Sequence, residues 1–354
     1  MDDALLQEIV SPPRGNLPIL PAAIIRWQPE DFQVEEIPTY LPDGVGQHLY
    51  LWIQKRNVSA GDLIWRLAKD LKVSARDIGV AGQKDRRAVT RQFVSVPRSC
   101  AEDIGNLTDP AIQILSVSAH GNKLRTGHLS GNQFTVVLRG KDGATFCPNE
   151  AEAVTDRLTL LEKNGFPNYF GPQRFGHDGS SIRDGITLLT TGKPPGSWKR
   201  QQRRFLSKLS ASAVQSAVFN LCLAQRVGQQ TCSSVSFGDV VCRRSGIKPF
   251  AYGSDSDADA MDLIAMGPMP GGKMVKTSGD AQTDEQQVMA RLELSDDNFA
   301  QNSKLTPGTR RKYIEFPRNV SSAVMSDGSL QLKFDLTAGT FATVLLAEIC
   351  DVLI

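Results

Sequence analysis

Gly79-Val80-Ala81-Gly82-Gln83-Lys84-Asp85-Arg86-Arg87-Ala88-Val89-Thr90-Arg91-Gln92 places one carboxylate inside a block of cations, directly after a short apolar run. Ile78, Val80 and Ala81, closed by Gly82, read as the end of a short buried strand, and the polar residues after them read as a turn. Lys84, Arg86, Arg87 and Arg91 crowd Asp85 along the chain. Such a crowd is expected to keep the acid ionised and to attract an anion, which suits a carboxylate working beside a phosphate backbone. Taken alone, the same aspartate reads first as an ordinary helix N-cap or turn residue, since Asp is common in such turns.

On either side of this turn the chain alternates strands and helices up to about residue 140. Residues 48–54 set Leu49, Leu51 and Ile53 on one face of a strand and Tyr50 and Trp52 on the other, so both faces are expected to be covered. Ser59 reads as the cap of a helix, with Asp62 three residues on and Leu63, Ile64, Leu67, Ala68 and Leu71 at helical spacing. Further strands are predicted over 92–96, 112–118 and 133–139, and a helix over 150–163.

From about residue 166 the pattern loosens into glycine-rich and polar segments. One strong helix is predicted to open near Ser210, with Val214, Ala217, Val218, Leu221 and Cys222 on one face. Residues 252–302 have poor periodicity and read as surface loops and short elements. Regularity returns with Leu330, Leu332 and Phe334 alternating in a strand and with a helix over 340–349. At 354 residues the chain exceeds what one core usually serves. The expected division is therefore a discontinuous domain of residues 1–165 and 313–354, interrupted by an insertion at 166–312.

With 40% hydrophobic and 22% charged residues the composition is that of an ordinary soluble globular protein, and a formal net charge of +2 neither demands nor excludes nucleic acid. Lys199-Arg200-Gln201-Gln202-Arg203-Arg204 with Lys208 forms a basic run, and Asp255, Asp257, Asp259 and Asp262 an acidic one; each reads first as a solvated face. The cysteines at 100, 147, 222, 232, 242 and 350 form no CxxC pair, and none stands at ligand spacing from His120 or His128, so no metal site is expected. The start, Met1-Asp2-Asp3-Ala4, has no signal-peptide character, and no window approaches a membrane span, which fits a reduced cytoplasm. Neither a GxGxxG fingerprint nor a phosphate-binding Walker loop is present.

Three more segments carry candidate chemistry. Arg26 precedes Pro29-Glu30-Asp31-Phe32-Gln33-Val34-Glu35-Glu36, where Phe32 and Val34 pack on one face of an edge strand by default, while an arginine near a half-buried aspartate would hold it charged. Gly131-Asn132-Gln133-Phe134 offers an amide and a ring at a strand entrance: a turn residue and a core aromatic, or a pair that grips a nucleobase. Asn168-Tyr169-Phe170-Gly171-Pro172-Gln173-Arg174-Phe175-Gly176 interleaves aromatics with an amide and an arginine. It either packs at a domain junction or lays stacking faces and a guanidinium beside RNA.

Together these segments resemble the TruD family of tRNA pseudouridine synthases. The match is carried by Asp31-Phe32-Gln33-Val34-Glu35-Glu36, by residues 81–90, by residues 168–176, and by Leu336-Thr337-Ala338-Gly339-Thr340-Phe341-Ala342-Thr343, in family order across nearly the whole chain. The resemblance implies an α+β fold: a pseudouridine-synthase core of mixed, mainly antiparallel sheet flanked by helices, with an inserted α/β domain. It implies isomerisation of a tRNA uridine, uridine 13 of the D-stem and chiefly in glutamate tRNA, with no cofactor, no metal and no protein partner. Asp85 matches the family's catalytic aspartate, with Lys84 beside it; Asn132 and Phe134 match the active-site strand, Phe341 a C-terminal aromatic, Phe32 the early phenylalanine and Arg26 a basic position. Arg86, Arg87, Arg91, Asn168, Tyr169, Phe170, Gln173, Arg174, Arg203 and Arg204 are the expected RNA contacts. The chain departs from the family pattern at Thr337, where proline is common, and near Ala347, where arginine is frequent. Two other classes compete: a tRNA-binding or RNA-chaperone protein without chemistry, and a nucleoside hydrolase, which would need a second carboxylate such as Glu35 or Glu36.

Overall fold

The computed structural model describes residues 2–15, 17, 20–140, 145–253 and 259–353. The chain forms two compact units: a sheet unit of Pro18–Asn164, Phe316–Ala342 and Ile349–Ile354, and a helical unit of Met1–Leu17, Gly165–Glu315 and Thr343–Glu348. The first 17 residues thus group with the helical unit, unlike the expected division. The cause is local. Helix α1 (Asp3–Val10), capped by the Asp2 carboxylate, buries Leu6 and Ile9, and its Ile9 carbonyl accepts a 2.9 Å hydrogen bond from buried Asn220 of that unit.

The sheet unit begins with β1 (Leu20–Ile24), β2 (Phe32–Pro38) and β3 (His48–Arg56). Helix α2 (Ala60–Asp70) follows, opened by Ser59, whose hydroxyl accepts from the Asp62 amide at 3.0 Å. Its Leu63 and Leu67 pack on Leu49, Leu51, Ile53, Val94 and Val96, the apolar face that alternation predicts for β3. The chain continues through β4 (Gly79–Val80), β5 (Val89–Pro97), β6 (Ile112–His120), β7 (Leu129–Gly140) and helix α3 (Pro148–Asn164). Gly79 is required where it stands, because a Cβ there would lie 2.3 Å from the Leu124 carbonyl oxygen.

The helical unit continues with β8 (Phe166–Pro167), α4 (Ser180–Thr191), α5 (Arg203–Gly228), β9 (Val240–Arg243), β10 (Phe250–Ala251), β11 (Leu263–Met269), α6 (Gly279–Arg291), α7 (Asp296–Gln301), β12 (Thr309–Lys312) and β13 (Ile314–Glu315). Helix α5 is buried almost throughout from Ser210 to Ala224, which explains why apolar spacing shows only that part. Its first turns expose Arg203, Arg204, Phe205 and Lys208 and only half-bury Leu206 and Leu209, so their apolar signal is weak.

Residues 252–302 are not mostly loop. They supply β11, buried at every position within a four-stranded sheet, and α6, which buries only Glu285, Val288 and Met289. A strand covered on both faces loses its alternation, and so sparse an apolar face leaves almost no helical signal. Asp255 and Asp257 lie outside the described residues. Glu285 is held by a bidentate ion pair to Arg310, whose side chain is fully buried and whose Nε also donates to the Val275 carbonyl at 2.8 Å. Arg310→Ala is expected to destabilise by about 3–5 kcal/mol, since it strands a buried carboxylate. Urea unfolding checks this; a loss below about 1 kcal/mol would show the pair to be solvated.

The chain then returns to the sheet unit as β14 (Arg318–Val324) and β15 (Leu330–Thr337), passes through α8 (Ala342–Ala347), and ends in β16 (Cys350–Leu353). The sheet runs in the order β14-β15-β7-β2-β5-β3-β6, with β1 against β7 and β16, and β4 against β5. All pairings are antiparallel except β2 with β5 and β1 with β16. Register lines up Lys55, Thr90, Val34, Phe134 and Phe334 in one row across β3, β5, β2, β7 and β15. Glu36 pairs with Asn132 in the next row on the same face. Among the described residues no helix is long and apolar enough to cross a membrane.

Candidate active site

Asp85 sits in the turn between β4 and β5, and no helix follows it, so it is not an N-cap. The turn is held at its ends by the Ala81 carbonyl, which accepts from Gly127, and the Ala88 carbonyl, which accepts from Asn57. In its middle the Asp85 carbonyl accepts from the Lys55 ammonium at 2.7 Å. The Asp85 side chain is 36% exposed, and one oxygen accepts from Arg26 Nη2 at 3.0 Å.

Arg26 is therefore the cation in direct contact with the carboxylate, and it comes from 59 residues earlier in the chain. Its backbone is left-handed (φ 62°), an arrangement that costs a non-glycine residue on the order of 1 kcal/mol. The buried guanidinium lies 4.0 Å from the Phe32 ring centroid, and its Nε makes no hydrogen bond among the described residues. Phe32 in turn meets Phe134 edge-on at 6.0 Å, and Phe134 stacks on Phe334 at 5.4 Å. A continuous line of contacts thus runs from the sheet core to the carboxylate, fixing the guanidinium by cation–π packing.

Lys84 turns away from Asp85 into the sheet. Its ammonium lies 3.1 Å from Glu36 and donates to Asn132 Oδ1 at 2.6 Å. Both ionic side chains are buried, so each is pushed toward neutrality: burial raises the Glu36 carboxyl and lowers the Lys84 ammonium, and each opposes the effect on the other. Because Lys84 holds the Asn132 carbonyl oxygen, the amide's N–H groups are the ones left to meet a ligand.

Lys55 is fully buried and donates to the carbonyls of Val58 and Asp85, both at 2.7 Å. Burial pushes its pKa down to about 8, opposed by the nearby Asp85 charge. Lys55 and Glu36 are the residues that charge counting passes over. Strand alternation marks both, since Lys55 continues the inward set Leu49, Leu51, Ile53 and Glu36 the inward set Phe32, Val34.

Several expected contacts stand elsewhere. Arg91 projects from the opposite face of the sheet, where it pairs with Glu35 at 3.0 Å, hydrogen-bonds Gln54, and lines an open depression of about 300 Å³. The reason is parity: Thr90 and Gln92 point inward, so Arg91 points out. Arg86 and Arg87 are exposed beside Asp85. Asn168, Tyr169 and Phe170 are buried inside the helical unit and cannot offer stacking faces there. Asn168 binds the Lys312 carbonyl and Arg311, and Phe170 exchanges backbone hydrogen bonds with the Asn220 amide. Arg174 bonds Ser212 and Ser216, leaving Gln173 as the exposed polar residue of that group. Arg203 and Arg204 are exposed at the start of α5, and Phe341 is half-buried just beyond β15.

The sheet unit is a mixed sheet that carries a half-exposed aspartate on an arginine and aromatic support. The family profile for tRNA pseudouridine synthase D (TruD) matches residues 22–183 and 196–349. The tRNA pseudouridine synthase D of Anaeromyxobacter dehalogenans is 35% identical over 92% of each chain, and that of Thermus thermophilus 36% identical over 93% of this chain and 88% of its own. A solved structure from Methanosarcina mazei, described as a TruD protein, shares the fold with a TM-score of 0.69 at 22% identity, over 94% of each chain. The chain belongs to the TruD family and is a tRNA-modifying isomerase.

Proposed function

We propose that Asp85 is the catalytic carboxylate, acting on uridine 13 in the D-stem of tRNA, chiefly glutamate tRNA, in the cytoplasm. The observation that carries this reading is the Arg26–Asp85 pair: a carboxylate kept open to solvent on one side while a buried guanidinium fixes it on the other. Isomerisation breaks the bond from ribose C1′ to N1 and makes one from C1′ to C5; C5 gives up its proton and N1 takes one up, so there is no redox change and no net loss of atoms. The carboxylate either attacks a substrate carbon or removes a ribose proton.

To reach this carboxylate a paired uridine leaves its stack, at a cost of a few kcal/mol. Asn132 then donates an N–H to a uracil carbonyl oxygen, its orientation set by Lys84. Where uracil has its C4 oxygen, cytosine presents a donor, which the same N–H group does not accept. Phe32 and Phe134 support this site as buried packing beneath Arg26, and half-buried Phe341 is the aromatic assigned to meet the base.

Mapping pseudouridines in total RNA from cells with and without the intact protein tests the assignment. The expected result is loss of one site, position 13 of the D-stem; a lost site elsewhere in tRNA overturns the positional reading. Exposed Arg203 and Arg204 are proposed RNA contacts of the helical unit. Replacing both with glutamine is expected to reduce the slope of log affinity against log salt by about 1–2. An unchanged slope returns them to a merely solvated face.

A further inference from the structure

We infer that Lys55 is a positioning residue for the reaction, holding the peptide carbonyl of Asp85 so that the carboxylate meets both Arg26 and the substrate in one geometry. The inference rests on Asp85 being the acting carboxylate. The turn spanning residues 81–88 is irregular, and its other backbone anchors, at Ala81 and Ala88, lie at its two ends. The 2.7 Å bond from Lys55 Nζ attaches the middle of the turn to β3 at the residue whose side chain would act.

A fully buried lysine is uncommon, because burial penalises its charge. Here the amine has two carbonyl acceptors, Val58 and Asp85, and the neighbouring Asp85 carboxylate favours its charged form. An apolar side chain would continue Leu49, Leu51 and Ile53 on this face without any polar burial. The lysine does what such a residue cannot: its long stem crosses from the sheet to the turn and ends in donors. Lys84, next in the chain to Asp85, is occupied by Glu36 and Asn132, so it anchors the preceding residue and not the acting one.

Proximity effects set the size of the expected effect, since a misplacement near 1 Å can cost about 10²-fold in rate. Lys55→Met is expected to slow single-turnover pseudouridine formation at saturating tRNA by about 10²-fold while tRNA affinity stays within about twofold. Lys55→Arg, which retains donors and charge, is expected to recover at least about tenfold of that loss. Should the methionine variant not fold, Lys55→Gln, too short to reach both carbonyls, carries the same comparison. A wild-type saturating rate in the folded methionine or glutamine variant overturns the inference, as does weakened tRNA binding with an unchanged saturating rate. Asp85→Asn is measured alongside. If that variant stays active, the reading of Asp85 fails; if it is inactive while Lys55→Met is fully active, only the role of Lys55 fails.

Discussion

Asp85→Asn is expected to leave tRNA affinity within about threefold of the unaltered protein and to lower pseudouridine formation by on the order of 10⁴-fold or more, the scale seen when a catalytic group is deleted. Asparagine has nearly the same shape, and its oxygen can still accept from Arg26 Nη2, so the aromatic support under the guanidinium is retained. What disappears is the negative charge and with it the capacity to attack carbon or take a proton. Affinity is expected to change little because binding to phosphate gains nothing from a carboxylate. Chemical mapping of the modified position and filter binding on the same preparation separate the two effects. Pseudouridine formed at a rate within tenfold of the unaltered protein would falsify the catalytic assignment and favour a role in binding alone.

Lys84→Met is the second large effect, and it reads out in stability as well as rate. Removal leaves Glu36 buried without its counter-ion, a loss of about 3–5 kcal/mol at neutral pH. The pH dependence has a definite sign. Burial already raises the Glu36 pKa above its ordinary 4.5, and without Lys84 that rise is unopposed by its cation. Above pH 4.5 the unfolded chain releases the proton that the folded variant retains, so folding binds a proton and stability falls with rising pH, by up to about 1.4 kcal/mol per unit. The deficit relative to the unaltered protein is therefore smallest near pH 5 and grows toward pH 8. Adding Glu36→Gln removes the stranded charge and is expected to restore much of the loss at pH 8 and little at pH 5. Thermal unfolding of the single and double variants at both values checks this, and a deficit independent of pH would mean that the carboxylate stays hydrated. The single variant also frees Asn132, so its saturating rate is expected to fall by about 10²-fold as the amide loses its fixed orientation.

The elements around Asp85 were legible along the chain wherever one face is buried and the other is not. Alternation at Leu49, Leu51 and Ile53 marks β3, Ser59 with Asp62 marks the start of α2, and Leu330, Leu332 and Phe334 mark β15. Legibility failed where burial is uniform or sparse. In β11 every residue is covered and no period survives, and in α6 the apolar face is too thin to register. The opening of α5 lies seven residues ahead of Ser210, because its first turns are mostly solvated and only Leu206 and Leu209 mark the apolar side.

The candidate site divides along the same line. Only the family resemblance, carried by motifs in order along the chain, named Asp85, Asn132, Phe32 and Phe134 as one site; local pattern by itself showed no more than the strands and the turn that hold them. The pairing of charges was decided only in three dimensions. The cations beside Asp85 along the chain disperse, with Lys84 to Glu36, Arg91 to Glu35 on the other face and Arg86 and Arg87 to solvent, while Arg26 arrives from a separate strand's end. Coulomb attraction depends on distance through space and on burial, and for residues far apart in the chain only the tertiary packing of strands and turns sets both.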